Sequence, residues 1–234
     1  MVKGKRITKK QLREPDEFIT LTERAIHFVG EHGKKMIAGG ILFLVIIVAI
    51  LFYQMWERKK DEEAARAYGV ASEMYEKGIA QAREGSPQDD KEIMAKFDEV
   101  IAKFPRTLFG RLSLIYAGNI RLRQGEYDGA IKAYSAFIEN AGKQELYKYF
   151  AWDGLGHAYV GKKDYGKAIE AYQRILDVDK GFQSEEAHLN IGYCYEKMGK
   201  TKEALENFKA FLKNSKKSLL ANVISRKVSL LEKL

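Results

Sequence analysis

The most extended apolar run of the chain goes from Met36 to Trp56 and contains no charged side chain. At about 1.5 Å of rise per residue, a helix of this length spans the hydrocarbon core of a bilayer, roughly 30 Å thick. Two aromatic residues close the run, and amphipathic rings prefer the headgroup layer. The pattern predicts one transmembrane helix, anchored by Met36, Ile41, Leu44, Ile47, Leu51, Tyr53 and Trp56.

Two other interpretations fit this run less well. A helix buried in a soluble core is usually shorter and rarely free of charge over such a length. A cleaved signal peptide has a shorter apolar region, about 7–15 residues, followed by a small-residue cleavage site. Here the charged segment 57–60 follows instead, so we expect a retained anchor that crosses the membrane once.

The segment before the anchor, residues 1–35, divides into two parts. Residues 1–14 are basic and form either a tail attracted to anionic lipid or a merely solvated tail. A helix is predicted to start at Pro15 and to end at Gly30 and Gly33. It carries an apolar stripe, so it lies on the membrane surface or docks on a partner. The stripe comprises Phe18, Leu21, Ala25, Phe28 and His32.

Helical periodicity resumes directly after the anchor. The junction 57–65 is rich in helix formers, which predicts one helix from about Met36 to about Glu84. The segment 85–90 contains Gly, Pro and Asp residues and predicts a loop. A second helix follows and closes at Phe104-Pro105. The helix after the anchor and this second helix are expected to form the first hairpin of the region that follows residue 56.

The rest of the chain repeats itself at intervals of 38 and 36 residues. A glycine recurs on the first helix of each unit and an alanine on the second, where we expect the two helices to cross closely. Gly125, Gly161 and Gly199 are predicted to mark the turns between them. Such hairpins bury their apolar faces only by stacking on each other. The recurring residues are Gly118, Gly156 and Gly192, and Ala130, Ala168 and Ala204.

The repeated pattern resembles the tetratricopeptide repeat. The middle unit carries the pattern nearly complete, in Trp152, Leu155-Gly156, Tyr159, Ala168 and Tyr172. Arg121 in the inner Tyr position and His188 in the Trp position are departures. The resemblance implies an all-α fold, in which a single N-terminal transmembrane helix precedes a superhelix of antiparallel helix hairpins.

The expected domain organisation follows from these segments. We expect a basic tail and amphipathic helix, then the anchor, then the repeat domain over residues 57–234. Within that domain we expect a degenerate first hairpin, three repeats and a capping helix. The bounds are 1–35, 36–56 and 57–234, and within the last 57–105, 111–144, 149–182, 185–214 and 218–234.

Repeat folds of this kind present a concave face made by the first helix of each hairpin. The repeat positions place nine residues on it, and their mixed character suits an extended or helical peptide. Tetratricopeptide proteins that bind chaperone C-termini clamp a carboxylate with Lys, Arg and Asn at these positions. Asn119 matches that pattern, but Leu112, Ile115 and Phe150 do not supply the cations, so we discount a carboxylate clamp. The nine residues are Leu112, Ile115, Asn119, Phe150, Asp153, His157, Glu186, Leu189 and Tyr193.

Composition narrows the classes of function. The formal net charge is +8, but the part behind the anchor is nearly balanced, so we do not expect nucleic-acid binding. The four histidines have no metal-ligand spacing, and we expect no enzyme, metal, cofactor or small-molecule substrate. His188 is expected to pack in its Trp position. Cys194, the only cysteine, is expected to be inert core rather than a reactive thiol.

The complete layout resembles the YfgM-type tetratricopeptide proteins, ancillary subunits of the bacterial Sec translocon. That resemblance implies an inner-membrane protein with a cytoplasmic N-terminus and a periplasmic repeat domain. The implied partners are the SecYEG translocon, a PpiD-like foldase and newly exported clients, besides membrane lipid through one helix. An envelope scaffold for cell division or outer-membrane assembly is the alternative. Positive charges close to the anchor are nearly even on its two sides, so charge alone leaves orientation open.

Overall fold

A computed structural model describes residues 17–83, 90–142, 145–178, 182–215 and 219–233. These residues form nine α-helices and no strand, which confirms the all-α prediction. The basic tail, Pro15 and most of the predicted 85–90 loop lie outside the described residues. The helices are α1 (Glu17–Arg83), α2 (Asp90–Lys103), α3 (Leu108–Arg123), α4 (Tyr127–Asn140), α5 (Glu145–Gly161), α6 (Tyr165–Val178), α7 (Phe182–Lys197), α8 (Thr201–Asn214) and α9 (Ala221–Leu231).

The chain divides into two compact units, residues 1–58 and 59–234. In the first unit, α1 does not end at Gly30 or Gly33, where the sequence predicted a break. Nothing lies within 4 Å of a Cβ built on either glycine, and a glycine costs a helix only about 1 kcal/mol relative to alanine. The helix continues through both glycines, so the predicted surface helix and the anchor are parts of one element.

Helix α1 contains a segment long and apolar enough to cross a membrane. Its large apolar side chains are exposed, from 36% of the surface for Ile47 to 72% for Phe52. All seven predicted anchor residues belong to this exposed set. The hydroxyl of Tyr53 donates a hydrogen bond to Glu57 Oε1 at 2.9 Å, at the polar end of the segment. Such a surface suits lipid better than water.

In the second unit, consecutive helices pack as antiparallel hairpins, and α3, α5 and α7 lie side by side. In the hairpins α3–α4, α5–α6 and α7–α8, a glycine on the first helix packs closely against an aromatic ring on the second. A Cβ on Gly118, Gly156 or Gly192 would lie 2.4–2.6 Å from the ring of Tyr134, Tyr172 or Phe208. These rings are at most 1% exposed, as are Ala130, Ala168 and Ala204. The predicted close crossing at these glycines is confirmed.

The turn of the middle hairpin differs from the prediction. Gly125 and Gly199 do adopt left-handed φ values of 77° and 73°, but the equivalent residue of the middle unit is Lys163, with φ of 62°. Gly161 is instead the last residue of α5, where a Cβ would lie 2.2 Å from Cε1 of Tyr127. The glycine is needed there for the close approach of a ring and not for the turn.

Replacing Lys163 by glycine should therefore stabilise the protein by about 1 kcal/mol. The left-handed conformation costs a residue with a Cβ about 1–2 kcal/mol, and glycine removes that cost. The greater unfolded-state entropy of glycine offsets part of this stabilisation. Chemical unfolding of the full chain in detergent measures the difference. The matched variant is Gly125→Ala, which should lose stability because nothing but backbone strain changes there. Equal stability of Lys163→Gly and the parent would contradict this view of the turn.

Candidate functional site: the groove along the first helices

A groove of about 610 Å³ lies along the face made by α3, α5 and the part of α1 after residue 59. Six of the nine predicted concave-face residues line it. They are Leu112, Ile115, Asn119, Phe150, Asp153 and His157, and they share the groove with Tyr68, Tyr75, Tyr116, Leu122, Arg123, Tyr147 and Gly154.

The six predicted residues differ in how much surface they offer. Leu112 and Ile115 are only 6% and 7% exposed and form the floor. Asn119 is engaged already, since its Oδ1 accepts a hydrogen bond from the Tyr134 hydroxyl at 2.7 Å. Phe150 is 49% exposed, which makes it the apolar side chain of this set most available to a partner.

The remaining three predicted residues lie elsewhere. Tyr193 borders a second cavity of about 240 Å³, together with His157 and Cys194. Its ring packs edge-on against Phe208, with centroids 5.3 Å apart. Leu189 is buried in the core between α7, α8 and α9, and Glu186 accepts a hydrogen bond from the Tyr149 hydroxyl at 3.2 Å. Neither Leu189 nor Glu186 lines one of these two cavities.

Four tyrosines of the groove were not predicted as site residues, namely Tyr68, Tyr75, Tyr116 and Tyr147. The ring of Tyr116 stacks on Phe97 at 4.8 Å and meets Tyr75 edge-on at 5.0 Å. Tyr68 and Tyr75 are seven residues apart on α1, which places them on one face of a helix. That spacing is the signal in the sequence that could have found them.

The residues singled out as candidates for chemistry are structural. Cys194 is 2% exposed, and burial raises the pKa of its thiol to about 11, so the reactive thiolate is scarce at neutral pH. His188 Nδ1 lies 3.0 Å from Asn207 Oδ1, which fits its expected packing role. Among the residues that the structure describes, no group of three or more His, Cys, Asp and Glu side chains could hold a metal ion.

The sequence of the chain matches the family model of the tetratricopeptide repeat-like domain over residues 27–233. The chain belongs to this family. The tetratricopeptide fold is a protein-interaction module, and the groove lies on the face made by its first helices. No curated protein is detectably similar to this tetratricopeptide protein in sequence.

Solved structures show the same fold at low sequence identity. The apo form of RapI has a TM-score of 0.58 at 12% identity, covering 70% of this chain and 63% of RapI. A tetratricopeptide repeat protein from Parabacteroides merdae has a TM-score of 0.56 at 19% identity, covering 72% and 61%. MamA from Desulfovibrio magneticus, from residue 41 onward, has a TM-score of 0.50 at 24% identity, covering 64% and 77%. This chain thus spans less than two thirds of the length of RapI and of the Parabacteroides merdae protein.

Asp153 is a carboxylic acid in the groove of this tetratricopeptide protein, and its pKa is shifted from the ordinary value. Its side chain is 24% exposed, and its Oδ2 lies 3.5 Å from Nε2 of His157. The pKa of Asp153 is raised to about 6, chiefly by burial; His157 opposes this rise and the charge of Glu186 adds to it. The hydroxyls of Tyr134 and Tyr172 also face this carboxyl, and their own pKa values are raised, chiefly by burial.

We expect Asp153 to make stability fall as the pH rises. Because its folded pKa lies above the ordinary value of 3.8, the carboxyl favours folding most below that value, and the contribution is lost as the pH passes about 6. Asp153→Asn should raise the free energy of unfolding by about 1–2 kcal/mol at about pH 8 and change it little at about pH 4. Chemical unfolding at the two pH values measures this, and the same difference at both would contradict it.

Proposed function

We propose that this protein is a membrane-anchored interaction module that associates with the Sec translocon and periplasmic chaperones and assists newly exported proteins. In this proposal residues 36–56 cross the inner membrane, and residues 57–234 form a periplasmic repeat domain. The first helices of the hairpins present the groove to a peptide segment of a partner. SecYEG, a PpiD-like foldase and exported clients are the proposed partners.

The observation that carries the proposal is the groove itself. It has a buried aliphatic floor, several tyrosines, and a half-exposed Phe150, and exposed aromatic side chains on a firm surface are typical anchors of protein interfaces. The exposed apolar segment of α1 supports attachment to a membrane. The order of segments along the chain, which resembles YfgM-type proteins, supports the choice of the translocon.

Affinity capture tests the choice of partners. The tagged full chain is extracted with mild detergent and its co-purifying proteins are identified. We expect SecYEG subunits and a PpiD-like foldase. Recovery of division or outer-membrane assembly proteins in their place would reject the translocon and favour an envelope scaffold with the same fold.

The proposed orientation has its own test. Protease added to intact spheroplasts should digest residues 57–234, because a periplasmic domain is then accessible. The segment before Met36 should become accessible only after the membrane is permeabilised. Full protection of the repeat domain would reverse the orientation.

A further inference from the structure

Asp153 occupies a position that is apolar in the neighbouring repeats. With the repeat intervals of 38 and 36 residues, its equivalents are Ile115 in α3 and Leu189 in α7. Each of these aliphatic side chains is 7% exposed. A carboxylate in such surroundings loses hydration and is retained at a cost to stability unless a donor compensates it. Packing alone therefore does not explain why an aspartate occupies position 153.

The structure leaves one oxygen of this carboxylate without a donor. Asp153 Oδ1 is buried and has no hydrogen-bond partner among the described residues. The nearby His157 reaches only Oδ2, at 3.5 Å, and Glu186 adds a second negative charge close by. Buried polar atoms are nearly always hydrogen-bonded, so this carboxylate has fewer donors than it needs. Its side chain is 24% exposed and lines the groove, so a donor from outside the chain can reach the carboxylate.

The cation in the same groove is already neutralised. Arg123 donates two hydrogen bonds to the carboxylate of Asp90, the longer at 3.3 Å from Nε to Oδ2. Its guanidinium also lies 5.5 Å from the centre of the Tyr75 ring. The positive charge of Arg123 is thus paired with an acid. Among the described residues the carboxylate of Asp153 has no Lys or Arg partner, and its basic neighbour is His157 at 3.5 Å.

The walls around Asp153 suit a long cationic side chain. Tyr68, Tyr75, Tyr116, Tyr147 and Phe150 line the same groove. Aromatic faces attract ammonium and guanidinium groups within about 6 Å. The methylene stems of Lys and Arg pack well on apolar surface while the charged head reaches a polar partner.

We propose that this groove selects peptide segments in which a Lys or Arg adjoins a large apolar residue, and that the carboxylate of Asp153 receives the cationic group. The apolar residue packs on Phe150 and on the floor formed by Leu112 and Ile115. This inference rests on the proposed function, because it names the chemistry of the segment that the interaction groove takes.

Short fluorescein-labelled peptides test the selection directly. They share a Leu-Phe core and differ only in two flanking residues, which are Lys, Gln or Glu. Fluorescence anisotropy measures their affinity for the full chain in detergent at neutral pH. We expect the Lys peptide to bind about tenfold more tightly than the Gln peptide, since a partly buried charge-assisted bond is typically that strong, and the Glu peptide to bind most weakly.

Two variants test whether Asp153 causes the preference for the Lys peptide. Asp153→Asn should remove the advantage of Lys over Gln while retaining binding of the Gln peptide. The matched control is Asp177→Asn, since that acid is 68% exposed beside Arg174 and does not line the groove. It should leave the preference unchanged.

The possible outcomes separate the two proposals. If all three peptides bind the parent equally, or if Asp153→Asn keeps the preference for Lys, the inference about the cation is wrong and the interaction function stands. If none of the peptides binds, the groove is not the interaction site, and the inference is overturned together with the proposed role of the groove.

Discussion

Gly156→Leu is expected to lower the free energy of unfolding by about 3 kcal/mol, at the upper end of what overpacking usually costs. A Cβ at this position would lie 2.4 Å from Cε1 of Tyr172. The ring is 1% exposed and enclosed by the core around α6 and α7, so it cannot move aside without displacing a neighbour. Chemical unfolding of the full chain in detergent, followed by circular dichroism, measures the loss.

Gly166→Leu is the matched control, because the nearest atom to a Cβ there is 3.9 Å away. It should change stability by a few tenths of a kcal/mol only, as is usual for surface sites. Ala168→Leu, at a fully buried position of the same hairpin, should act in the same direction as Gly156→Leu. A parent-like unfolding transition for Gly156→Leu would mean that the repeat register is wrong.

Phe150→Ala should weaken partner binding about tenfold or more while leaving the fold intact. Truncation of an aromatic anchor at an interface typically costs about 2 kcal/mol or more. Phe150 is half exposed, and its described ring contact is with Tyr149, at 5.2 Å between centroids, so little core packing is lost. Quantitative affinity capture, with the full chain as bait, compares the variant with the parent.

The control for Phe150→Ala is Leu219→Ala, since Leu219 is 96% exposed and lies outside the groove. It should retain the partners. Tyr193, although predicted on the same face, is a poor companion for this test because its ring supports Phe208 and lies 5.2 Å from Lys227 Nζ. Undiminished capture by Phe150→Ala would move the binding site away from the groove.

The repeat register could be predicted because small residues recur at the positions where two helices cross closely. A glycine recurs where a ring from the second helix approaches, as Gly156 does beneath Tyr172, and no larger residue fits. The turn of the middle hairpin could not be predicted in the same way. Glycine was the expected turn residue, yet Lys163 adopts the left-handed conformation. The residue type at this position gives no sign of that backbone strain.

Repeat positions predicted six of the residues that line the groove, among them Ile115 and Phe150. The burial of these side chains could not be predicted, because it depends on how neighbouring hairpins stack. The tyrosines of α1 were missed because they become groove residues only when the degenerate first hairpin packs beside α3. The unpaired oxygen of Asp153 likewise follows from three-dimensional packing.

Site-specific photo-crosslinking in living cells tests the central claim most directly. A photoreactive amino acid at Phe150, in the groove, is compared with one at Lys132, which is exposed on α4 and lies outside it. The account predicts crosslinks to other proteins from position 150, with SecYEG, a PpiD-like foldase or exported chains among them, and few from position 132. Crosslinks from position 132 with none from position 150 would contradict it.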